Sequence, residues 1–181
     1  MDKIKKLTIL KKDLEFMPNF YERYIDLIDE NTDLITGLHN TKNIFEKIRN
    51  KLIEFQNFKY RPEKWTPKDI LQHIIDNERI TAYRALCLSR GESKKLMGYD
   101  ENHYGMNSNA NDRSMESLLE EFKLVRQSLI LLFESFNKKM LFKTGICNEI
   151  KINPLALGFF VIGHCKHHIN ILKERYFKNS Q

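Results

Sequence analysis

Apolar residues recur every three to four positions through most of this chain, the repeat of an amphipathic helix. One such run, read as a single helix, extends from Asn153 to Tyr176. Asn153 suits an N-cap, and Pro154 suits the first helical position, where its missing N–H costs nothing. One face of this helix carries Leu157, Val161, His164, His168, Ile171 and Arg175. That face is mostly apolar, so it is expected to point into the protein interior.

The same pattern predicts three earlier helices. Leu34, Leu38, Ile44 or Phe45, Ile48, Leu52 and Phe55 form a stripe over 31–58. Thr66 reads as an N-cap, Pro67 as the first helical residue and Asp69 as a favourable charge in the first turn. The second helix then spans 67–89 and stops at Gly91. Ser114 caps a third helix over 115–136, whose apolar positions include Leu118, Leu119, Phe122, Val125, Leu129, Leu132, Phe133 and Phe136. The links 91–113 and 138–152 are long, and Ile146, Glu149 and Ile152 suggest a short extended piece in the second. Residues 20–29 read as one or two aromatic-rich helical turns. Residues 1–19 read as a charged lead-in, with Phe16 and Met17 packing back on the body. The expectation is an all-α protein: a single domain over 1–181, built as a four-helix bundle with long connections after the second and third helices.

Composition narrows the function classes. Only 7 Gly and 4 Pro argue against a turn-rich sandwich or barrel. The net charge of +6 is spread among interleaved acids and bases, with no basic block carrying aromatics, so no nucleic-acid partner is expected. The 3 cysteines, Cys87, Cys147 and Cys165, are odd in number and show no CxxC spacing, which fits a reducing compartment. The first residues are too charged for a signal peptide. No apolar run approaches the roughly 18–20 residues that span a bilayer. The expected location is therefore the cytoplasm, with no membrane partner.

His164 and His168 lie four residues apart, one turn apart on one helix face. Two imidazoles in an apolar stripe must find partners or cost stability. Hydrogen bonds to neighbouring polar groups are one solution. A divalent metal suits both rings at once, and it requires a third ligand from elsewhere in the chain.

The segment Trp65-Thr66-Pro67-Lys68-Asp69-Ile70-Leu71-Gln72-His73-Ile74-Ile75-Asp76-Asn77-Glu78-Arg79 is similar to a known pattern. So are Ala82-Tyr83-Arg84-Ala85-Leu86, Arg90-Gly91, Gly98-Tyr99-Asp100-Glu101-Asn102, Gly163-His164-Cys165-Lys166-His167-His168 and Glu174-Arg175-Tyr176. Together they resemble the DinB superfamily, in its branch of metal-dependent hydrolases and bacillithiol S-transferases. The resemblance implies a bundle of four main helices with a metal held by three histidines. At the matching positions these are His73, His164 and His168. It implies zinc or nickel as the metal, a low-molecular-weight thiol such as bacillithiol as cosubstrate, a small-molecule substrate, and a homodimer as in many relatives. The leading functional expectation is a metal-dependent thiol S-transferase. The alternatives are a metal-dependent hydrolase at the same site and a non-enzymatic stress protein with a structural metal.

Other residues have competing readings. His167 is an alternative ligand, although it points about 100° away from His168. His103 is either an ordinary loop histidine or a mobile ligand or base. Asp76 and Asn77 either orient a ligand histidine or serve helix capping and surface solvation, and Asp76, Glu78 and His103 are the general bases on offer for hydrolysis. Arg84 and Arg175 either hold an anionic substrate or pair with acids. Cys165 reads as a small packed residue.

Overall fold

The second main helix shows how directly local chemistry sets the elements. Thr66 Oγ1 accepts from the Asp69 backbone N–H, and the Asp69 carboxylate accepts from the Thr66 N–H, a reciprocal cap. Pro67 opens the helix, and Gly91 ends it with φ of 87°, in the left-handed region. In the computed structural model, which describes residues 8–178, the elements are as follows. Helix α1 spans Glu22–Ile25, α2 Leu34–Thr41, α3 Arg49–Glu54, α4 Pro67–Arg90, α5 Glu101–Met106, α6 Met115–Glu134, α7 Lys138–Leu141 and α8 Pro154–Ile171. Strands β1 (Gly145–Cys147) and β2 (Ile150–Ile152) form an antiparallel hairpin. The first seven residues of the charged lead-in lie outside the described residues. Of the rest, Ile9 is buried, Met17 is exposed and Phe16 lies beneath the Lys151 ammonium.

Four main helices form the bundle expected from the sequence. α4 packs against α6 and α8, and α2 packs against the same two helices, so the order around the bundle is α2, α6, α4, α8. α2 and α4, separated in the chain by the short α3, sit across a diagonal. The apolar core falls into two clusters. One includes Leu34, Leu38, Leu129, Phe133, Phe159 and Val161, and the other Leu71, Ile74, Leu118, Phe122 and Leu172. Between them along the bundle lie the buried polar residues Thr41, Glu78, Thr81, Arg126 and His164.

Three expectations are corrected in detail. The helix predicted over 31–58 is broken. α2 stops at Thr41, a turn and a short 3₁₀ segment follow, and α3 starts afresh at Arg49. The Thr41 hydroxyl bonds back to the Gly37 and Leu38 carbonyls, a contact that competes with helix continuation. The extended piece near Ile146 is a full hairpin, turned by Asn148 and Glu149 with φ of 48° and 65°. The α-helical part of α8 ends at Ile171, and Leu172–Tyr176 continue as a wider π-type turn.

α8 is buried all round from Pro154 to Cys165, not on one face only. Its outer side is covered by α1. That contact is very close, since a Cβ on Gly163 would sit 2.0 Å from the Tyr24 carbonyl oxygen. Only glycine fits there, and it lets α1 lay Tyr24 beside His164.

Candidate metal centre

His73 lies two turns into α4, and His164 and His168 lie near the end of α8. The two helices pack antiparallel, so residues 91 positions apart in sequence meet. His73 Nε2 is 3.1 Å from His164 Nε2, and His168 Nε2 is 3.0 Å from the same atom. All three side chains are buried, and their ligand atoms lie within 4.8 Å of one another.

Three Nε2 atoms facing one another cannot all be satisfied by the protein. His164 Nε2 can donate one hydrogen or accept one, so it serves at most one of its two neighbours. A divalent cation accepts all three lone pairs together. Zn–N bonds of 2.0–2.1 Å in a tetrahedron place ligand atoms about 3.4 Å apart, a few tenths of an ångström wider than the closest pairs here. The donor set therefore fits such an ion with minor expansion.

Electrostatics point the same way. Burial, reinforced by the charge of His167, lowers the His73 pKa to about 4. His164 and His168 are also lowered, first by burial and then by the neighbouring imidazoles. All three rings are neutral at pH 7, as metal binding requires. His168 Nδ1 is buried and finds no protein partner among the described residues.

Aromatic rings wall the cluster. Trp65 lies 4.9 Å from the His73 ring, Phe160 stacks at 5.2 Å on His164, and Tyr24 meets His164 edge-on at 5.3 Å. Trp65 is itself held, because the Tyr176 hydroxyl donates a 2.5 Å hydrogen bond to its carbonyl. The π-type turn at Leu172–Tyr176 is what brings Tyr176 to that position.

One side of the cluster opens. A cleft of about 270 Å³ is lined by His168, Tyr60, Trp65, Ile171 and Tyr176, with Lys64, Glu101 and Asn102 among its polar residues. The long link after α4 supplies part of this rim and is tied down at several points. Leu96 bridges to Cys147 of the hairpin, Arg84 donates to the Met97 carbonyl at 2.7 Å, and Asn77 donates to the Tyr99 hydroxyl at 2.9 Å. A Cβ on Gly105 would come within 3.1 Å of the Trp65 ring, so α5 sits almost directly on that indole.

The other predicted residues fall elsewhere. His167 is half-buried against Tyr24 at 5.1 Å and stays outside the cluster. His103 is exposed on α5, where it lines a separate cleft of about 430 Å³ with Asp76 and Arg79. Asp76 accepts from Gln72, and Asn77 bonds Tyr99 and Thr81. Glu78 is locked to Arg126. None of the three bases suggested by the sequence lines the cleft beside His168. Glu101 does, and its carboxylate makes no hydrogen bond or ion pair among the described residues. It lies two positions before His103 in the same loop, and only the fold of that loop reveals it. Arg84 and Arg175 have no acid partner among the described residues, and Arg175 donates to the Tyr60 hydroxyl at the cleft edge. Cys165 is fully buried, with burial pushing its thiol to about 12. A roomier cleft of about 500 Å³, lined by interleaved lysines and glutamates of the α2–α3 connection and α6, contains none of the three histidines.

A sequence model of the DinB superfamily matches residues 53–172. The chain belongs to the DinB superfamily. In fold, this DinB protein is similar to YfiT from Bacillus subtilis, described as a probable metal-dependent hydrolase with an unusual four-helix bundle topology. The TM-score is 0.62 at 16% identity, with 77% of this chain and 84% of YfiT covered. No curated protein matches the sequence. Among the described residues, no helix of this DinB protein is long and apolar enough to cross a membrane.

Proposed function

We propose that this DinB protein is a divalent-metal-dependent thiol S-transferase. His73, His164 and His168 hold the ion, zinc or nickel, and a low-molecular-weight thiol such as bacillithiol attacks an electrophilic small molecule in the cleft. The observation that supports this reading is three buried, neutral imidazoles converging on one point, one of which, His168, lines an open cleft. Three protein donors leave a position for a small molecule, as catalytic sites require. When bound, the cation supplies positive charge that lowers the pKa of a coordinated thiol or water.

The protein's own groups do the rest. Phe160 and Tyr24 pack on His164 and exclude water on that side of the cluster. Tyr60, Trp65 and Ile171 form an apolar wall for the body of the substrate. Lys64 is paired with Glu63 at the rim, so Arg175, which has no acid partner among the described residues, offers the positive charge for an acidic cosubstrate at the cleft edge. Cys165 is held behind the histidines by Arg126 and Glu78, so the nucleophile comes from the cosubstrate.

A second reading, metal-dependent hydrolysis, draws on one observation. The unpartnered Glu101 carboxylate lines the cleft with His168 and can take a proton from water. The two readings separate in one experiment. Zinc- or nickel-loaded protein is offered bacillithiol, glutathione or coenzyme A with monochlorobimane, and in parallel a panel of activated esters. Metal-dependent conjugation that disappears in His73→Ala is the expected result. Ester hydrolysis without conjugation by any thiol, lost in Glu101→Gln, would replace transfer with hydrolysis.

A further inference from the structure

At the centre of the bundle one residue from each main helix meets in a polar node that the proposed chemistry does not use. Arg126 of α6 is 0% exposed, and Glu78 of α4 is 1% exposed. The guanidinium grips the carboxylate with two bonds, Nε to Oε2 at 2.9 Å and an Nη to Oε1 at 2.5 Å. The same guanidinium donates to Thr41 Oγ1 of α2 and, at 3.0 Å, to Cys165 Sγ of α8. The Cys165 thiol donates in turn to Glu78 Oε1 at 3.7 Å. The node spans both diagonals of the bundle.

Stability alone gives no reason for such a node. A fully buried ion pair loses its hydration, and well-packed apolar residues of similar volume usually match or exceed its contribution. What the pair has that apolar residues lack is directionality. A planar fork on a carboxylate accepts only one relative placement of α4 and α6, and the Arg126–Cys165 contact ties α8 to that pair. Here that placement is linked to the histidines by short lengths of rigid helix. Cys165 is adjacent to His164, and Glu78 stands five positions beyond His73 on the same helix. A slip of either helix along its axis would open the 3.0–3.1 Å spacing of the ring nitrogens.

We propose that Arg126, Glu78, Thr41 and Cys165 form a positioning node that sets the register of α4 and α8 and so holds His73, His164 and His168 in metal-binding geometry. The proposal rests on the metal reading given above. It assigns these residues to metal affinity and site geometry, not to contact with substrate.

The test measures zinc affinity, the ligand-field spectrum of the cobalt-substituted protein, and thermal unfolding of the metal-free protein. The main variant is the double substitution Glu78→Leu/Arg126→Met, which removes both charges and keeps most of the volume. The expected result is a Tm equal to or above wild type, a zinc Kd raised by about 10–100-fold as for other residues that orient metal ligands, and an altered cobalt spectrum. Arg126→Lys and Cys165→Ala, which weaken the node without emptying it, should raise the Kd in the same direction. They decide the matter if the double variant does not fold. A Kd and cobalt spectrum unchanged from wild type in a folded node variant would overturn the proposal, even if its Tm moved. Failure of wild type to bind zinc or cobalt would overturn the metal reading itself, and is seen before any variant is made.

Discussion

His73, His164 and His168 are held neutral by burial, and this has a measurable consequence in the metal-free protein. Each ring has a lower pKa folded than unfolded, so the unfolded chain binds more protons below the ordinary histidine range. Stability then rises with pH through that window and falls as pH drops. With His73 lowered from 6.5 to about 4, the loss from this residue alone between pH 7 and pH 5 is about 2 kcal/mol. Urea unfolding of chelator-treated protein at the two pH values checks this. His73→Ala should flatten part of the dependence. An apo protein equally stable at pH 5 and pH 7 would show that the rings are not desolvated as described. At this scale the sequence was informative about the two histidines of α8 and silent about their surroundings. The ring of Trp65 on His73 and the carboxylate of Glu101 in the cleft depend on how two loops fold, and neither loop has a repeat from which its path can be read.

Among the elements, those with chemical punctuation were legible. Thr66 and Gly91 bracket α4, Ser114 caps α6 through the Ser117 N–H, and Asn153 caps α8 through the Ala156 N–H. The segment 31–58 had a stripe but no internal caps to examine, and it breaks at Thr41. The break matches the use of that hydroxyl, which faces Arg126. The π-type turn after Ile171 was hidden for another reason. A slip in backbone hydrogen bonding leaves the apolar repeat almost unchanged, yet it sets where Tyr176 points. α1 packs on α8 at a point where only glycine fits. Gly163→Ala drives a methyl into the Tyr24 carbonyl, and overpacking of this kind should cost about 1–3 kcal/mol in urea unfolding. The same substitution should also weaken zinc binding, because α1 carries the ring that packs on His164. A variant as stable as wild type would mean that α1 is free to move away.

For the whole molecule, the proposed ligand set links metal binding to folding. Only the folded chain assembles three ligands from two helices, so a ligand present at 100 times its Kd should add about 2.7 kcal/mol to stability. Zinc titrated into apo protein should raise Tm in a concentration-dependent way, a chelator should reverse the rise, and His73→Ala should abolish it. The order α2, α6, α4, α8 around the bundle has a further consequence for biosynthesis. Once His73 has been added to a growing chain, 91 more residues must follow before His164 exists. At typical bacterial and eukaryotic elongation rates that interval is about 5–20 s. Through it Arg126 can already meet Glu78 on the paired α4 and α6, while His73 waits in a half-built groove as a single weak ligand. On the proposed ligand set, metal capture is therefore a closing event of synthesis, since two of the three ligands arrive only with α8, after α4 and α6.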